Sequence, residues 1–189
     1  MRIIAGDARG IKLEAGPNEA VRPTTDRVKE SLFNIIGEID DCVVVDFFAG
    51  SGSLGLEAFC RGAEEIYFVE KDRVTCKVIE KNLKKVEKAT GDHDFCKIIQ
   101  SDYKAAIKRL SQVQPDLILC DPPYNNNCEM AIDFLKNHKI ADWAGEGCIL
   151  CLEHTSTTVL PEDTKWTQFR RKDYGNTAFT FWEIRGKGV

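Results

Sequence analysis

A chain of 189 residues is long enough to form one domain with a core of its own. Its net charge of −4 argues against a protein that coats nucleic acid at large, though it leaves room for a local basic face. No apolar run follows Arg2 and none reaches the length of a membrane span, so a soluble, cytoplasmic chain is expected.

Arg2–Ala5, a turn over Gly6–Gly10 and Ile11–Glu14 read as a hairpin. Pro17 to Pro23 is irregular, after which Thr24, Thr25 and Asp26 offer N-cap oxygens to a helix striped by Val28, Leu32, Ile35 and Ile36. Residues 1–30 carry Arg2, Arg9, Lys12, Arg22, Arg27 and Lys29 against five acids. Taken singly, Arg9, Arg22 and Arg27 read as solvated surface and caps. Grouped on a small appendage (1–38) ahead of a core (39–189), within one domain, they become candidate phosphate contacts.

Val43 to Asp46 is a β-branched run ending in an acid, followed by the small-residue loop Ala49–Gly52 and a helical pattern. Gly50 and Gly52 permit backbone angles and close ligand approach that a Cβ resists, and the helix beyond points free N–H groups at the loop. Gly50-x-Gly52-x-x-Gly55 matches the dinucleotide fingerprint, with Glu70 where a ribose partner belongs. Asp46 shifts the balance. A carboxylate there sits poorly beside a pyrophosphate but suits the amino group of a methionine moiety, so a methyl donor is favoured over a nicotinamide. Asp46, Phe48, Gly50, Ser51 and Gly52 are the candidate contacts.

Leu54–Arg61 is the next helix, and Ile66–Glu70 is a strand whose terminal acid either accepts from ribose hydroxyls or charges the following helix start. Val74, Val78, Ile79, Leu83 and Val86 mark that helix, with lysines on its outer side. After the strand Phe95–Gln100, Asp102 reads equally as an N-cap or as an acceptor for an adenine amino group that Tyr103 flanks.

The strand Asp116–Cys120 runs into Asp121–Pro122–Pro123–Tyr124, the most specific signal in the chain. Two prolines fix an extended turn and remove two donors, leaving acceptors for another molecule. Asp121 and the Pro122 carbonyl provide the two acceptors an exocyclic NH2 needs, and Tyr124 a face on which a base stacks. A helix with Ala131, Phe134, Leu135 and His138 on one face follows, then the strand Gly147–Glu153 and a hairpin of Lys165–Lys172 and Thr177–Ile184. The eight cysteines are scattered and read as buried free thiols. Cys148-x-x-Cys151 has zinc-like spacing, but residues three apart on a strand face opposite sides, so no metal is expected.

Met1–Gly6 with Arg9–Gly10, the segment Arg22–Glu30, Asp46–Gly55, Glu70 and Asp121–Tyr124 together resemble the RsmD-type family of bacterial 16S rRNA guanine-N2 methyltransferases. The resemblance implies an α/β, Rossmann-like class I methyltransferase fold: a mostly parallel seven-stranded sheet with a C-terminal antiparallel hairpin, here preceded by the N-terminal hairpin and helix. It also implies S-adenosyl-L-methionine as donor and 16S rRNA or the small ribosomal subunit as partner; a monomer is expected. The expected chemistry is direct in-line transfer to the exocyclic nitrogen, with no cysteine intermediate. Ser53 stands where a small apolar residue is expected. Two other functions fit the residues: an adenine-N6 methyltransferase, which shares the Asp-Pro-Pro-Tyr logic, and a non-catalytic nucleotide-binding module, which has no need of it.

Overall fold

A computed structural model describes residues 1–16, 25–93, 95–124 and 128–185. The β-branched run becomes β1 (Val43–Phe47), the central strand of a seven-stranded sheet. On one side it pairs in parallel with β2 (Glu65–Glu70), which pairs with β3 (Cys96–Gln100). On the other it pairs with β4 (Leu117–Cys120), and β4 with β5 (Ile149–Thr155). The final hairpin, β6 (Thr167–Tyr174) and β7 (Thr177–Glu183), adds itself antiparallel through β7, giving the order β3-β2-β1-β4-β5-β7-β6. This is the class I methyltransferase arrangement. Strand order reverses between β1 and β4, the place where open α/β sheets bind ligands beyond their carboxyl ends.

Successive residues of β1 serve two separate cores. Val44 packs into a layer with Leu32, Phe33 and Leu56, while Val45 and Phe47 pack into the opposite one with Tyr103, Phe134 and Leu150. The first layer lies under α1 (Asp26–Ile36), α2 (Ser53–Cys60) and α3 (Arg73–Thr90); the second lies under α4 (Tyr103–Arg109), α5 (Glu129–Lys136) and α6 (His138–Ala144). Cys151 on β5 and Cys148, the residue just before that strand, fall in opposite layers, as their three-residue spacing along extended chain requires. No helix among the described residues is long and apolar enough to cross a membrane.

Some expectations are corrected. The helix after the proline turn is two helices, because Asn137 leaves the helical region (ψ 94°) and caps α6 through its side chain, so His138 opens a new helix and is exposed. Val74 is 60% exposed rather than part of a buried stripe. The N-terminal hairpin is present and short: one antiparallel bridge joins Arg2 to Lys12, with Leu13 N–H donating to the Met1 carbonyl (3.1 Å), Ile3 N–H to the Ile11 carbonyl (3.0 Å) and Gly10 N–H to the Ile3 carbonyl (2.9 Å). α1 begins as its sequence suggests, Thr25 Oγ1 accepting from the Val28 N–H at 3.4 Å.

Candidate active site

The loop between β1 and α2 is held from below. Asp46 is 2% exposed, and its Oδ2 accepts the Gly55 N–H at 2.9 Å, satisfying one of the donors that the first turn of α2 leaves open. Gly55 has to be glycine: a Cβ there would lie 2.4 Å from the Phe68 ring and 3.0 Å from Asp46 Oδ2. Gly50 and Gly52 have φ of 55° and 78°, and Phe48 shares this left-handed region at 60°, a strained choice for a bulky side chain. Two neighbours hold the loop from the side. Glu70, half-buried at the end of β2, accepts the Gly50 N–H on Oε2 (3.1 Å) and the Asp72 N–H on Oε1 (2.8 Å). Asn82 on α3, fully buried, donates to the Ser51 carbonyl (3.0 Å) and exchanges two hydrogen bonds with the backbone of Glu14.

Beside the loop, Phe48 is partly exposed and packs on Tyr103, ring centroids 5.3 Å apart, and Tyr103 in turn leans on Phe134 at 5.7 Å. Tyr103 is buried, which raises its phenol pKa and gives most of its ring to the core. Phe48 keeps the more open apolar surface. Asp102 is exposed and caps α4, its Oδ1 accepting from Lys104 and Ala105 N–H at 3.0 and 3.2 Å.

Across the strand-order reversal, β4 ends at Asp121–Tyr124. The Asp121 N–H donates to the Phe47 carbonyl at 3.4 Å, so this turn and the glycine loop leave adjacent strands side by side. Pro122 is buried, Pro123 exposed, and Asp121 and Tyr124 half-buried. The Tyr124 hydroxyl donates to Glu153, two residues before β5 ends at Thr155, and lies 3.1 Å from Thr177 Oγ1 at the start of β7. Burial, then the Glu153 charge, pushes the phenol well above its ordinary pKa, so it stays protonated.

The N-terminal appendage is riveted to the back of α2. Glu57, fully buried, accepts from the Ile4 and Ala5 N–H groups (2.8 and 3.1 Å), from Arg61 Nε (2.9 Å) and from Lys29 Nζ (3.5 Å). Lys29, also fully buried, donates a second bond to the Arg2 carbonyl at 2.7 Å. Burial lowers its pKa from the ordinary lysine range, against the opposing pull of Glu57. Next to this joint opens a cleft of about 650 Å³ whose lining includes Arg2, Arg9, Arg27 and Arg61 with Asp26 and Glu30. Arg2 is paired with Asp26 and Arg61 with Glu57; Arg9 and Arg27 have no ion pair among the described residues. Arg22 lies outside the described residues.

Comparison with known proteins agrees with this geometry. Residues 1–183 match the family model described as conserved hypothetical protein 95. Ribosomal RNA small subunit methyltransferase D of Haemophilus influenzae is 33% identical, over 97% of this chain and 93% of that protein. Its namesake in Escherichia coli K12 is 32% identical over 100% of this chain and 92% of the relative. The chain belongs to the RsmD-type methyltransferase family. The solved structure of yhhF from Escherichia coli, a candidate methyltransferase, shares the fold with a TM-score of 0.74 and 31% identity, covering 99% of each chain. S-adenosyl-L-methionine is the cofactor of this fold.

For an RsmD-type enzyme the structure gathers Asp46, Phe48, Gly50, Ser51, Gly52 and Glu70 at the carboxyl ends of β1 and β2, and Asp102 and Tyr103 just beyond β3. Asp121 to Tyr124 leave β4 beside them. Arg9 and Arg27 share a cleft behind α2 instead. Two residues that sequence reasoning passed over join the site, Glu153 and Thr177. A signal for Glu153 was available. Asp46, Glu70 and Asp121 are all acids at strand ends, and Glu153 continues that row on β5.

Proposed function

We propose that this chain transfers a methyl group to the exocyclic N2 of a guanine in 16S ribosomal RNA. The observation that carries the reading is the pairing of two loops on neighbouring strands, one fit for a methionine-type donor and one rich in acceptors for an amino group. The names of the relatives supply the ribosomal RNA.

The donor loop fits S-adenosyl-L-methionine by its own residues. Ser53 Oγ, at the first position of α2, is buried with no hydrogen-bond partner among the described residues, so a polar group is wanted there. Glu70 offers lone pairs to two ribose hydroxyls, Asp102 and Phe48 border the place for an adenine, and Asp46 holds the loop to α2. When bound, the donor supplies an electrophilic methyl on a sulfonium sulfur. The chain's task is then to present the nucleophile. Asp121 and the Pro122 carbonyl accept the two amino hydrogens, which turns the nitrogen lone pair toward the donor and stabilises charge developing on that nitrogen. The alkylated nitrogen must shed one proton, and Asp121 is the base beside it. Tyr124 stacks on the base; its raised pKa keeps it out of proton transfer.

Residues 1–38 serve in this reading as an RNA-docking appendage on a 39–189 core, with Arg9, Arg22 and Arg27 on phosphates. The enzyme works as a cytoplasmic monomer on 16S rRNA or an assembling small subunit. The test is methyl mapping on small-subunit RNA from cells with and without the protein, paired with kinetics of purified variants. N2-methylguanine should appear at one position. Asp121→Ala should lower kcat at least about 100-fold while the donor Kd moves less than about twofold. Methylation of an adenine N6 in its place, or near-native turnover of Asp121→Ala, overturns the proposal.

A further inference from the structure

The final hairpin reads at first as an edge that closes the sheet. Its tip sits at the acceptor end. Thr177 pairs with Thr155 on β5, and Glu153 pairs with Phe179, so Glu153 and Thr177 are diagonal neighbours on one face of the β5–β7 ladder. Both meet one atom, the Tyr124 hydroxyl. We infer that Glu153 and Thr177 are positioning residues for the acceptor base: they fix the Tyr124 ring as a stacking platform, which makes the C-terminal hairpin part of the active site. The inference rests on the reading of Asp121–Tyr124 as the acceptor turn.

The physical case runs from the turn itself. Pro122 and Pro123 lock the backbone as far as Tyr124, but a tyrosine side chain still has two torsions of its own. A half-buried ring facing an open site has core contacts on one side only. Tyr124 packs its inner side on the layer that includes Phe47 and Leu152. Two bonds to its far end remove the remaining swing. A bond to a charged acceptor is the stronger kind, and Glu153, only 9% exposed, is poorly screened by water. The phenol pKa is raised by burial first and then by Glu153, so the hydroxyl keeps the proton it donates to Glu153. A stacking face that cannot rotate sets the tilt of the base, and with it the line from the amino nitrogen to the methyl group.

The experiment is a set of variants of the full chain, assayed on small-subunit RNA with donor and RNA both saturating, and titrated with donor by calorimetry. Tyr124→Phe keeps the ring and removes the hydroxyl. Thr177→Val and Glu153→Ala each remove one partner, while Glu153→Gln retains an acceptor and Thr177→Ser a hydroxyl. Tyr124→Phe and Glu153→Ala should each lower kcat about tenfold, and Thr177→Val by a smaller factor, with donor Kd within about twofold of wild type. Glu153→Gln and Thr177→Ser should recover most of the loss. In the Tyr124→Phe background, Thr177→Val should change nothing further, because the atom it served is gone. A fully additive double variant, or a Tyr124→Phe enzyme with wild-type kcat alongside an inactive Tyr124→Ala, overturns the positioning role and leaves the acceptor turn standing. Wild-type kcat in Tyr124→Ala overturns the acceptor turn as well.

Discussion

At the scale of the residue, the donor loop is defined by what surrounds its glycines more than by the glycines themselves. Gly55 is the clearest case, because it is helical and needs no unusual backbone angle. Its constraint is the Phe68 ring, 2.4 Å from where a Cβ would be, and the carboxylate that bonds its N–H. Alanine ordinarily helps a helix, by about 1 kcal/mol over glycine. Here over-packing should win, and Gly55→Ala should destabilise the chain by roughly 1–3 kcal/mol in urea unfolding. It should also weaken donor binding, since Asp46 must move with Gly55. A variant with unchanged midpoint and donor Kd would show that α2 can shift away from β2 at no cost. Such contacts also explain why the fingerprint was readable from spacing alone: the three glycines and Asp46 act within ten residues of one another, and local pattern captures local geometry.

At the scale of the element, the joint between appendage and α2 obeys different rules. Glu57 gathers four donors from three parts of the chain, and Asn82 ties Glu14 to Ser51. Glu57→Ala strands Lys29 and two backbone N–H groups in the interior, so a loss of about 3–5 kcal/mol is expected by denaturant unfolding. Lys29→Met should cost less, because Arg61 and the two N–H groups still serve Glu57. The two also differ in pH response. The folded-state pKa of Lys29 lies below 10.5, so between that value and 10.5 the unfolded chain holds a proton the folded one has released. Stability contributed by Lys29 therefore rises with pH across that window, and the penalty of its charge is fully present below it. Wild type should gain on Lys29→Met when unfolding is compared at pH 7 and pH 10; an unchanged gap would rule out the lowered pKa.

None of this joint was legible in the sequence. Lys29, Glu57 and Asn82 are residue types that usually face water, and apart from Arg61, four positions beyond Glu57, their partners lie 27 to 68 positions away. Strands and most helices were readable because the apolar period announces them. The exceptions have local causes: Asn137 can cap or continue a helix, and Val74 is an apolar residue spent on the surface. The acid row at the strand ends was readable for three strands and extends to Glu153 on a fourth, but nothing in the sequence tells that Glu153 meets a tyrosine 29 residues earlier.

At the scale of the whole molecule, a net charge of −4 coexists with a cleft lined by four guanidinium groups. Two of these are paired with carboxylates, which leaves Arg9 and Arg27, beside Glu30, as the guanidinium groups of the cleft with no ion pair among the described residues. α2, eight residues and about 12 Å long, separates the donor loop from this cleft, so a phosphate contact at the cleft, as proposed above, would fall outside the donor pocket. Replacing Arg9 and Arg27 with Ala should raise KM for RNA about tenfold and flatten its dependence on salt by roughly 0.7–0.9 log units per lost contact, leaving donor Kd unchanged. Unaltered RNA kinetics, or activity lost in step with thermal stability, would assign both arginines to the fold alone.

The strand order also carries a schedule. β1, β2 and β4 and the donor loop are all made before Glu153, and Thr177 is added later still, because β7 slots between β5 and β6 only after β6 has been synthesised. A domain folds as a unit, so the donor loop made early gains its finished form only with the strands made late. Tyr124 is tethered last, because Thr177 lies on β7, the last-made strand of the sheet. A chain without β7 holds every residue of the donor loop but not the full hold on Tyr124, which ties the acceptor side to the final hairpin.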